Sequence, residues 1–228
     1  MNQLKLQTLQ ASTLMRTRFQ KSIKSPNDKM LKAGRSNKKL GAFVRKGWWR
    51  GLPIFSLTLE ERATCPSHCE QWANCYGNNM PFAHRFDHQN QWFEQALATN
   101  LAQLSHKHEQ GFVVRLHVLG DFYSEDYVRF WLGMMSALPG LRAFGYTHHR
   151  YSSPIGQLIA QMNEQFPNRW RVRFSDDRSQ EFRSEVVASE QQAGKDGIVC
   201  PEQLGLTESC GDCGYCWHSN KPVYFLEH

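Results

Sequence analysis

The sequence predicts an α/β fold built on a parallel sheet that is partly barrel-like, in the manner of a (β/α) repeat. Three observations support this prediction. Strand-like and helix-like segments alternate through the middle of the chain, the strand-like segments end in polar residues, and the helix-like segments repeat apolar residues at steps of three and four. Alternation of this length implies right-handed crossovers between parallel strands.

Each element is justified by its own local pattern. The first strand (PIFSLTL) alternates β-favouring residues, the first helix ends before Gly111, and Ser124 suits the N-cap position of the second helix. The predicted strands cover residues 53–59, 112–121, 141–149 and 169–177, and the predicted helices cover residues 88–108, 124–138 and 153–166.

Polar residues end three of these strands, at the edge where active groups gather in parallel sheets. Adjacent residues on a strand point in opposite directions, so we expect one of two neighbouring histidines or aspartates to face a given site. A histidine there could be a ligand or a proton shuttle. The residues are Gly120 with Asp121, then Thr147 with His148 and His149, then Ser175 with Asp176 and Asp177.

Charge is distributed unevenly along the chain. Residues 1–50 hold 13 lysines and arginines and one acid, Asp28, whereas the remainder holds 14 bases and 20 acids. We predict a flexible basic arm over residues 1–39, an α/β domain over residues 40–195 and a cysteine-rich segment over residues 196–228. The arm either binds nucleic acid through its phosphates or is a solvated tail. Trp48 and Trp49, beside further basic residues, either stack on bases or dock onto the body.

Several protein classes do not fit the sequence. No run of eighteen apolar residues and no secretory signal is present, which predicts a cytoplasmic protein without membrane contact. We also find no P-loop, dinucleotide-binding glycine motif or nucleophile elbow. An odd number of cysteines, seven, in a reducing compartment favours metal ligation over disulfides.

The C-terminal cysteines are the more specific group. Cys200, Cys210, Cys213 and Cys216 form a C-x9-C-x2-C-x2-C pattern. Three cysteines at two-residue gaps, with a distant fourth followed by proline, are typical of a [4Fe-4S] cluster, whereas zinc sites usually pair two C-x2-C units. We therefore predict an iron–sulfur cluster here, with structural zinc as the alternative.

The N-terminal cysteines are a less specific group. Cys65, Cys69 and Cys75 follow the first predicted strand in a C-x3-C-x5-C pattern. Three thiolates would leave one iron of a second [4Fe-4S] cluster open to a small molecule. The alternatives are zinc, with His68 or His84 as the fourth ligand, and buried free thiols.

These motifs carry two resemblances. The segments TCPSHCEQWANCY, RLHVLGDFYSEDYVRFW, LRAFGYTH and IVCPEQLGLTESCGDCGYCWHSNKPVYFLEH resemble a family of uncharacterised phage and prophage proteins, the gene product 88 type, from about residue 52 to the end. More loosely, the order of elements resembles radical SAM enzymes, whose three-cysteine loop after the first strand holds a [4Fe-4S] cluster. The usual loop is C-x3-C-x2-C, so the last gap here is longer.

The second resemblance implies roles for individual residues. The N-terminal trio would bind the cluster, Tyr76 would lie against the adenine of S-adenosylmethionine, and Gly120 with Asp121 would replace the acidic turn that contacts its ammonium group. Ser175 and Asp177 would lie near the ribose and carboxylate, and the strand end at Thr147 and His148 would complete the site. The C-terminal cysteines would hold an auxiliary cluster.

Two functional hypotheses follow. The first is an iron–sulfur enzyme, radical SAM-like, that needs a reductant and acts on a nucleic-acid-related or other anionic substrate. The second is a non-catalytic nucleic-acid-binding protein that zinc or a cluster stabilises and whose basic arm supplies the affinity.

Overall fold

The structure, a computed structural model, describes residues 15–227. Its main feature is an eight-stranded sheet in which only one pair of neighbouring strands, β2 and β3, is antiparallel. A separate two-stranded parallel sheet joins β1 to β4. The strands are β1 Ile23–Lys24, β2 Lys32–Ala33, β3 Ile54–Ser56, β4 Arg85–Phe86, β5 Phe112–Arg115, β6 Leu141–Thr147, β7 Trp170–Ser175, β8 Arg183–Val187, β9 Ile198–Val199 and β10 Val223–Leu226.

The helices agree with the sequence pattern. Ser124 caps α2 through an oxygen that accepts a hydrogen bond from Tyr127 N at 3.1 Å, and Ser153 caps α3 in the same way through Gly156 N at 3.0 Å. The α-helices in the described part of the chain are α1 Phe93–Lys107, α2 Glu125–Ala137, α3 Pro154–Gln165, and the single-turn α4 Cys210–Cys213 and α5 Tyr215–His218.

The order of strands confirms the predicted fold class. The strands lie in the order β2-β3-β5-β6-β7-β8-β10-β9, so that six parallel strands follow one another in chain order before the edge strand β9. The sheet stays open and forms no closed barrel among residues 15–227. All carboxyl ends of the parallel strands meet at one edge, as predicted.

Two apolar clusters cover opposite faces of the sheet. Val114 packs with α1, α2 and α3, whereas its neighbour Val113 packs with Trp49 and Trp217 on the other face. This alternation follows from the two-residue period of a strand. One face therefore carries the long helices, and the other carries residues 40–52 together with the cysteine-rich segment.

Residues 15–39 differ from the expected flexible arm. Arg16 and Thr17 bind the buried carboxylate of Glu60, Met30 is fully buried, and Leu31 N donates to Asn100 Oδ1 at 2.8 Å. Burial of apolar residues fixes this segment despite its polar composition. The first fourteen residues of the predicted arm lie outside the described residues, and the division into domains stays a prediction.

Among residues 15–227 no helix is both long enough and apolar enough to cross a bilayer.

Candidate functional site

The four C-terminal cysteines converge on one pocket. Cys200 follows β9, and the other three lie in α4 and α5, yet Cys200, Cys210, Cys213 and Cys216 all line the same small cavity. β10 places them together, because it pairs with both β8 and β9 and so brings the end of the chain back beside Cys200. All seven cysteines of the chain are free thiols.

Local sequence shapes the turn that carries three of these cysteines. Ser209 caps α4, where its oxygen accepts a hydrogen bond from Asp212 N at 3.3 Å. Gly214 then takes the left-handed conformation, with φ 73°, that separates α4 from α5. A side chain would strain this position, so glycine lets two single helical turns follow one another and present their cysteines to one cavity.

Three of the thiols in this pocket lie in surroundings that favour their protonated form. Burial raises the pKa of Cys200, Cys210 and Cys213, and the charges of neighbouring cysteines raise it further. Several thiolates in one pocket repel one another unless a cation offsets their charge. The donor set therefore suits a metal or cluster, which binds thiolate sulfur.

A buried arginine and a tyrosine surround the same pocket. Arg173 is fully buried and donates to the carbonyl oxygens of Cys216 at 3.0 Å, Ser219 at 2.7 Å and Lys221 at 2.8 Å. Tyr146 Oη lies 2.9 Å from Cys216 Sγ. Neither contact can be predicted from local sequence, because both depend on β6 and β7 packing beneath the cysteine-rich segment.

The first cysteine group lies at the carboxyl edge of the sheet. Cys65, Cys69 and Cys75 are each partly buried in the loop after β3. Burial raises the pKa of Cys65, and the nearby charges of Asp121 and Cys69 raise it further. Burial also raises the pKa of Cys75. The predicted meeting of this loop with the strand ends is therefore present.

A network of buried ionic and hydrogen-bonding side chains connects this cysteine loop to neighbouring segments. Arg85 donates to Glu61 at 2.6 Å and 3.0 Å, and both side chains are almost completely inaccessible to solvent. Arg62, whose φ is 68°, donates to Asn78 Oδ1 at 2.6 Å. Thr17 Oγ1 adds a 2.6 Å hydrogen bond to Glu61. The loop is thus tied to β4 and to the N-terminal segment.

Two of the predicted strand-end residues, Asp121 and Thr147, are buried and bond to nearby backbone. Asp121 is buried, and its carboxylate accepts hydrogen bonds from Phe122 N at 2.8 Å and His148 N at 2.7 Å. Asp121 therefore joins the ends of β5 and β6 through the backbone. Thr147 is fully buried beside it and accepts from His149 N at 3.1 Å. Gly120 precedes Asp121 with φ 86°.

His148 stands between the cysteine loop and the next strand end. Its Nε2 lies 3.5 Å from Asp176 Oδ2. Burial alone would lower the pKa of His148, but the nearby Asp176 carboxylate and the Cys69 sulfur outweigh it and raise that pKa to about 10. The surroundings of His148 therefore favour its protonated form. Asp176 was expected only as one of a pair, and its φ of 56° turns it toward the histidine.

The remaining predicted residues are engaged elsewhere. Ser175 Oγ bonds to Ser184 Oγ at 3.1 Å, and Asp177 accepts from Tyr151 N at 2.9 Å and from Ser179. Asp177 thus stabilises turns rather than facing the cysteine loop. Tyr76 follows Cys75 directly and begins a short 3-10 helix, with its side chain partly exposed. The zinc alternatives His68 and His84 are both exposed, and His68 Nε2 contacts His148 O at 3.0 Å.

Neither cysteine group is arranged as a finished metal site. Within residues 15–227 no three histidine, cysteine, aspartate or glutamate side chains stand in a geometry that would hold a metal ion. The sulfurs share a pocket or a loop without meeting ligand distances.

These features define the chain as an α/β protein with an open, mostly parallel sheet, four cysteines that line one cavity and three cysteines in the loop after β3. Residues 21–219 match the family described as gene product 88, and the chain belongs to that family. The match confirms the first of the two resemblances. No curated protein and no solved structure matches the chain, so the comparisons lend no support to the looser resemblance to radical SAM enzymes.

Proposed function

We propose that this member of the gene product 88 family is an iron–sulfur protein with two cluster sites. The observation that carries the proposal is the shared pocket of Cys200, Cys210, Cys213 and Cys216, which come from two separate segments of the chain. Burial and the charges of Cys216 and Cys200 raise the pKa of Cys210, so its thiolate form needs a cation or a cluster to offset the negative charge. The spacing favours iron over zinc.

We further propose that the N-terminal trio forms the active site of a radical SAM-like enzyme. Support comes from the six parallel strands in chain order, with Cys65, Cys69 and Cys75 directly after the first of them. When bound, the cluster and S-adenosylmethionine would supply one-electron chemistry. The substrate would be nucleic-acid-related or another anion, and an external reductant would be needed.

The chain's own residues would orient and enclose this site. Asp121 uses two of its four acceptor positions on backbone N–H groups, which leaves the other two for an ammonium group. His148 holds a proton beside Cys69 and Asp176, which offsets negative charge at the sulfur. The ionic pair of Glu61 and Arg85 keeps the loop in place beneath these groups.

Metal analysis of protein purified without oxygen tests the proposal. We expect a brown protein with about seven to eight irons and matching acid-labile sulfide per chain. Cys213→Ser and Cys75→Ser should each remove about half of the iron, because each disables one site only. Glu208→Gln is the matched control, since this exposed residue lies in the C-terminal segment but does not line the pocket.

Two results would contradict the proposal. A colourless protein that binds two zinc ions and no iron would favour the non-catalytic alternative. Purified protein that contains neither zinc nor iron nor acid-labile sulfide would contradict both hypotheses. Release of methionine and 5′-deoxyadenosine from S-adenosylmethionine after reduction separately tests the enzyme assignment.

A further inference from the structure

A short hairpin before β3 has an exposed face that the cysteine sites do not use. Residues 42–53, which we term the basic hairpin, are closed by hydrogen bonds from Val44 N to Leu52 O at 2.9 Å and from Gly51 N to Val44 O at 2.8 Å. A 3-10 turn, Gly47–Trp49, forms its tip. The hairpin is therefore an ordered element with a fixed tip.

The outer face of the basic hairpin combines positive charge with an exposed aromatic ring. Arg45, Lys46 and Arg50 are exposed, and Trp48 keeps 65% of its surface accessible to solvent. Within the described residues 15–227, a single ion pair involves these cations, and it joins Arg45 to Asp212 at a long 3.8 Å. Residues 29–59 contain eight lysines and arginines and no acid, so the sequence around the tip offers little charge compensation.

The inner face of the hairpin rests on the cysteine-rich segment. Trp49 is buried and stacks on Trp217, with ring centroids 5.3 Å apart and planes inclined by 10°. Arg45 N donates to Gly211 O at 2.8 Å, and His218 Nε2 lies 3.1 Å from Lys46 O. Gly211 directly follows Cys210 in the chain, and Trp217 and His218 directly follow Cys216. The orientation of the hairpin therefore depends on how that segment is folded.

We propose that the outer face of the basic hairpin binds single-stranded nucleic acid, with Trp48 stacked on a base and Arg45, Lys46 and Arg50 against phosphates. A base stacked on the exposed ring of Trp48 would remove apolar surface from water. Cations around an exposed aromatic ring match the chemistry of sequence-tolerant single-strand binding. A duplex keeps its base faces stacked internally, so unpaired bases are the partner that fits Trp48.

The proposal also links binding to the C-terminal cysteines, and in this respect it rests on the proposed function. Trp217 directly follows Cys216, so the fold of the metal site holds the inner face of the hairpin. Loading of that site should rigidify the hairpin and strengthen binding. The contacts of Trp48 and the cations with nucleic acid do not themselves require a metal.

Binding of a labelled oligothymidylate to the full-length protein, followed by fluorescence anisotropy, tests the proposal. Trp48→Ala should weaken binding about tenfold, the size expected for loss of one base stack. Trp92→Ala is the matched control, because Trp92 is similarly exposed at the start of α1 and should leave binding unchanged. Arg45→Gln with Lys46→Gln should lower the salt dependence by about two counterions.

The possible results separate this inference from the proposed function. Equal affinity of Trp48→Ala and the unaltered protein would overturn the inference even if the iron content is full. Trp48-dependent binding by a protein without iron would support the nucleic-acid surface while removing the metal proposal. Equally tight binding of polyglutamate, independent of Trp48, would overturn the assignment in favour of an acidic protein partner.

Discussion

Tyr146 Oη lies 2.9 Å from Cys216 Sγ, so a side chain of β6 reaches a cysteine of the C-terminal pocket. The guanidinium of Arg115 lies over the Tyr146 ring, 4.6 Å from its centroid. A hydroxyl that bonds to a ligand sulfur stabilises the thiolate. The contact therefore connects the centre of the sheet to the proposed metal site.

Removing this hydroxyl should weaken the metal site. We expect Tyr146→Phe to lower metal affinity about tenfold, or to shift the reduction potential of an iron–sulfur cluster to a more negative value. Metal competition and potentiometric titration measure the two effects. Tyr224→Phe is the control, because Tyr224 donates to Asp196 rather than to a cysteine. Equal behaviour of both variants would contradict a role for the Tyr146 contact.

Arg173 should be essential to the stability of the cysteine-rich segment. Arg173→Met leaves several buried carbonyl groups without a donor, and we expect the free energy of unfolding to fall by about 3 kcal/mol. Urea unfolding provides the measurement. Arg178→Met, at a side chain that is 82% exposed, should change it little. A loss no larger than in that control would show that Arg173 is dispensable.

The stability of the protein should fall in acid because of Glu61. Burial raises the pKa of Glu61, but hydrogen bonds from Arg85 and Thr17 outweigh this and leave the pKa below its ordinary 4.5. A carboxyl with a lowered folded pKa contributes stability above pH 4.5, and this stability is lost as the pH falls through the folded value.

Glu61→Gln tests this dependence on pH. The variant should be about 3 kcal/mol less stable at neutral pH, because Arg85 would keep a buried charge without its partner. Its stability should also change less between neutral pH and pH 4 than that of the unaltered protein. Thermal unfolding across this range measures both effects, and parallel pH profiles would contradict the assignment to Glu61.

Two glycines of the basic hairpin should respond differently to substitution. Gly47 and Gly51 both have positive φ, 72° and 89°, but a methyl group at Gly47 would collide with His218, whereas Gly51 faces open space. Gly51→Ala should cost about 1 to 2 kcal/mol from backbone strain alone. Gly47→Ala should cost more and disturb the tryptophan stack. Thermal unfolding followed by tryptophan fluorescence compares the two variants. Equal losses of stability would mean that the His218 side chain moves aside without an energetic cost.

The elements that the sequence predicted best have apolar residues at regular spacing. The helices α1, α2 and α3 and the strands β5, β6 and β7 each combine regular apolar spacing with a cap or a turn residue. The short strands β8, β9 and β10 were missed. Ile198–Val199 spans two residues, and β10 is fixed by pairing with β8 and β9 rather than by its own pattern. Composition does not reveal that residues 15–39, which are rich in polar side chains, also contain buried residues, among them Met30.

The site shows the same division. The spacing of the cysteines was enough to divide them into two groups, and the apolar pattern was enough to place Asp121 and His148 at strand ends. Both features depend on residues that are close together in the sequence. The sequence did not predict that Asp121 bonds to the backbone N–H of His148, or that Asp177 serves a turn. Hydrogen-bond partners of a carboxylate depend on which loops meet it.

The sequence by itself determined the α/β class, the long helices, the two cysteine groups and the membership of the family. Only the tertiary structure decided that β10 returns beside β9 to close the four-cysteine pocket, that Arg173 and Tyr146 hold it, and that Trp49 is buried while Trp48 is exposed. The physical reason is that periodicity and spacing act over a few residues. Pairing of distant strands and burial of one neighbouring side chain rather than another are settled by the packing of the whole chain.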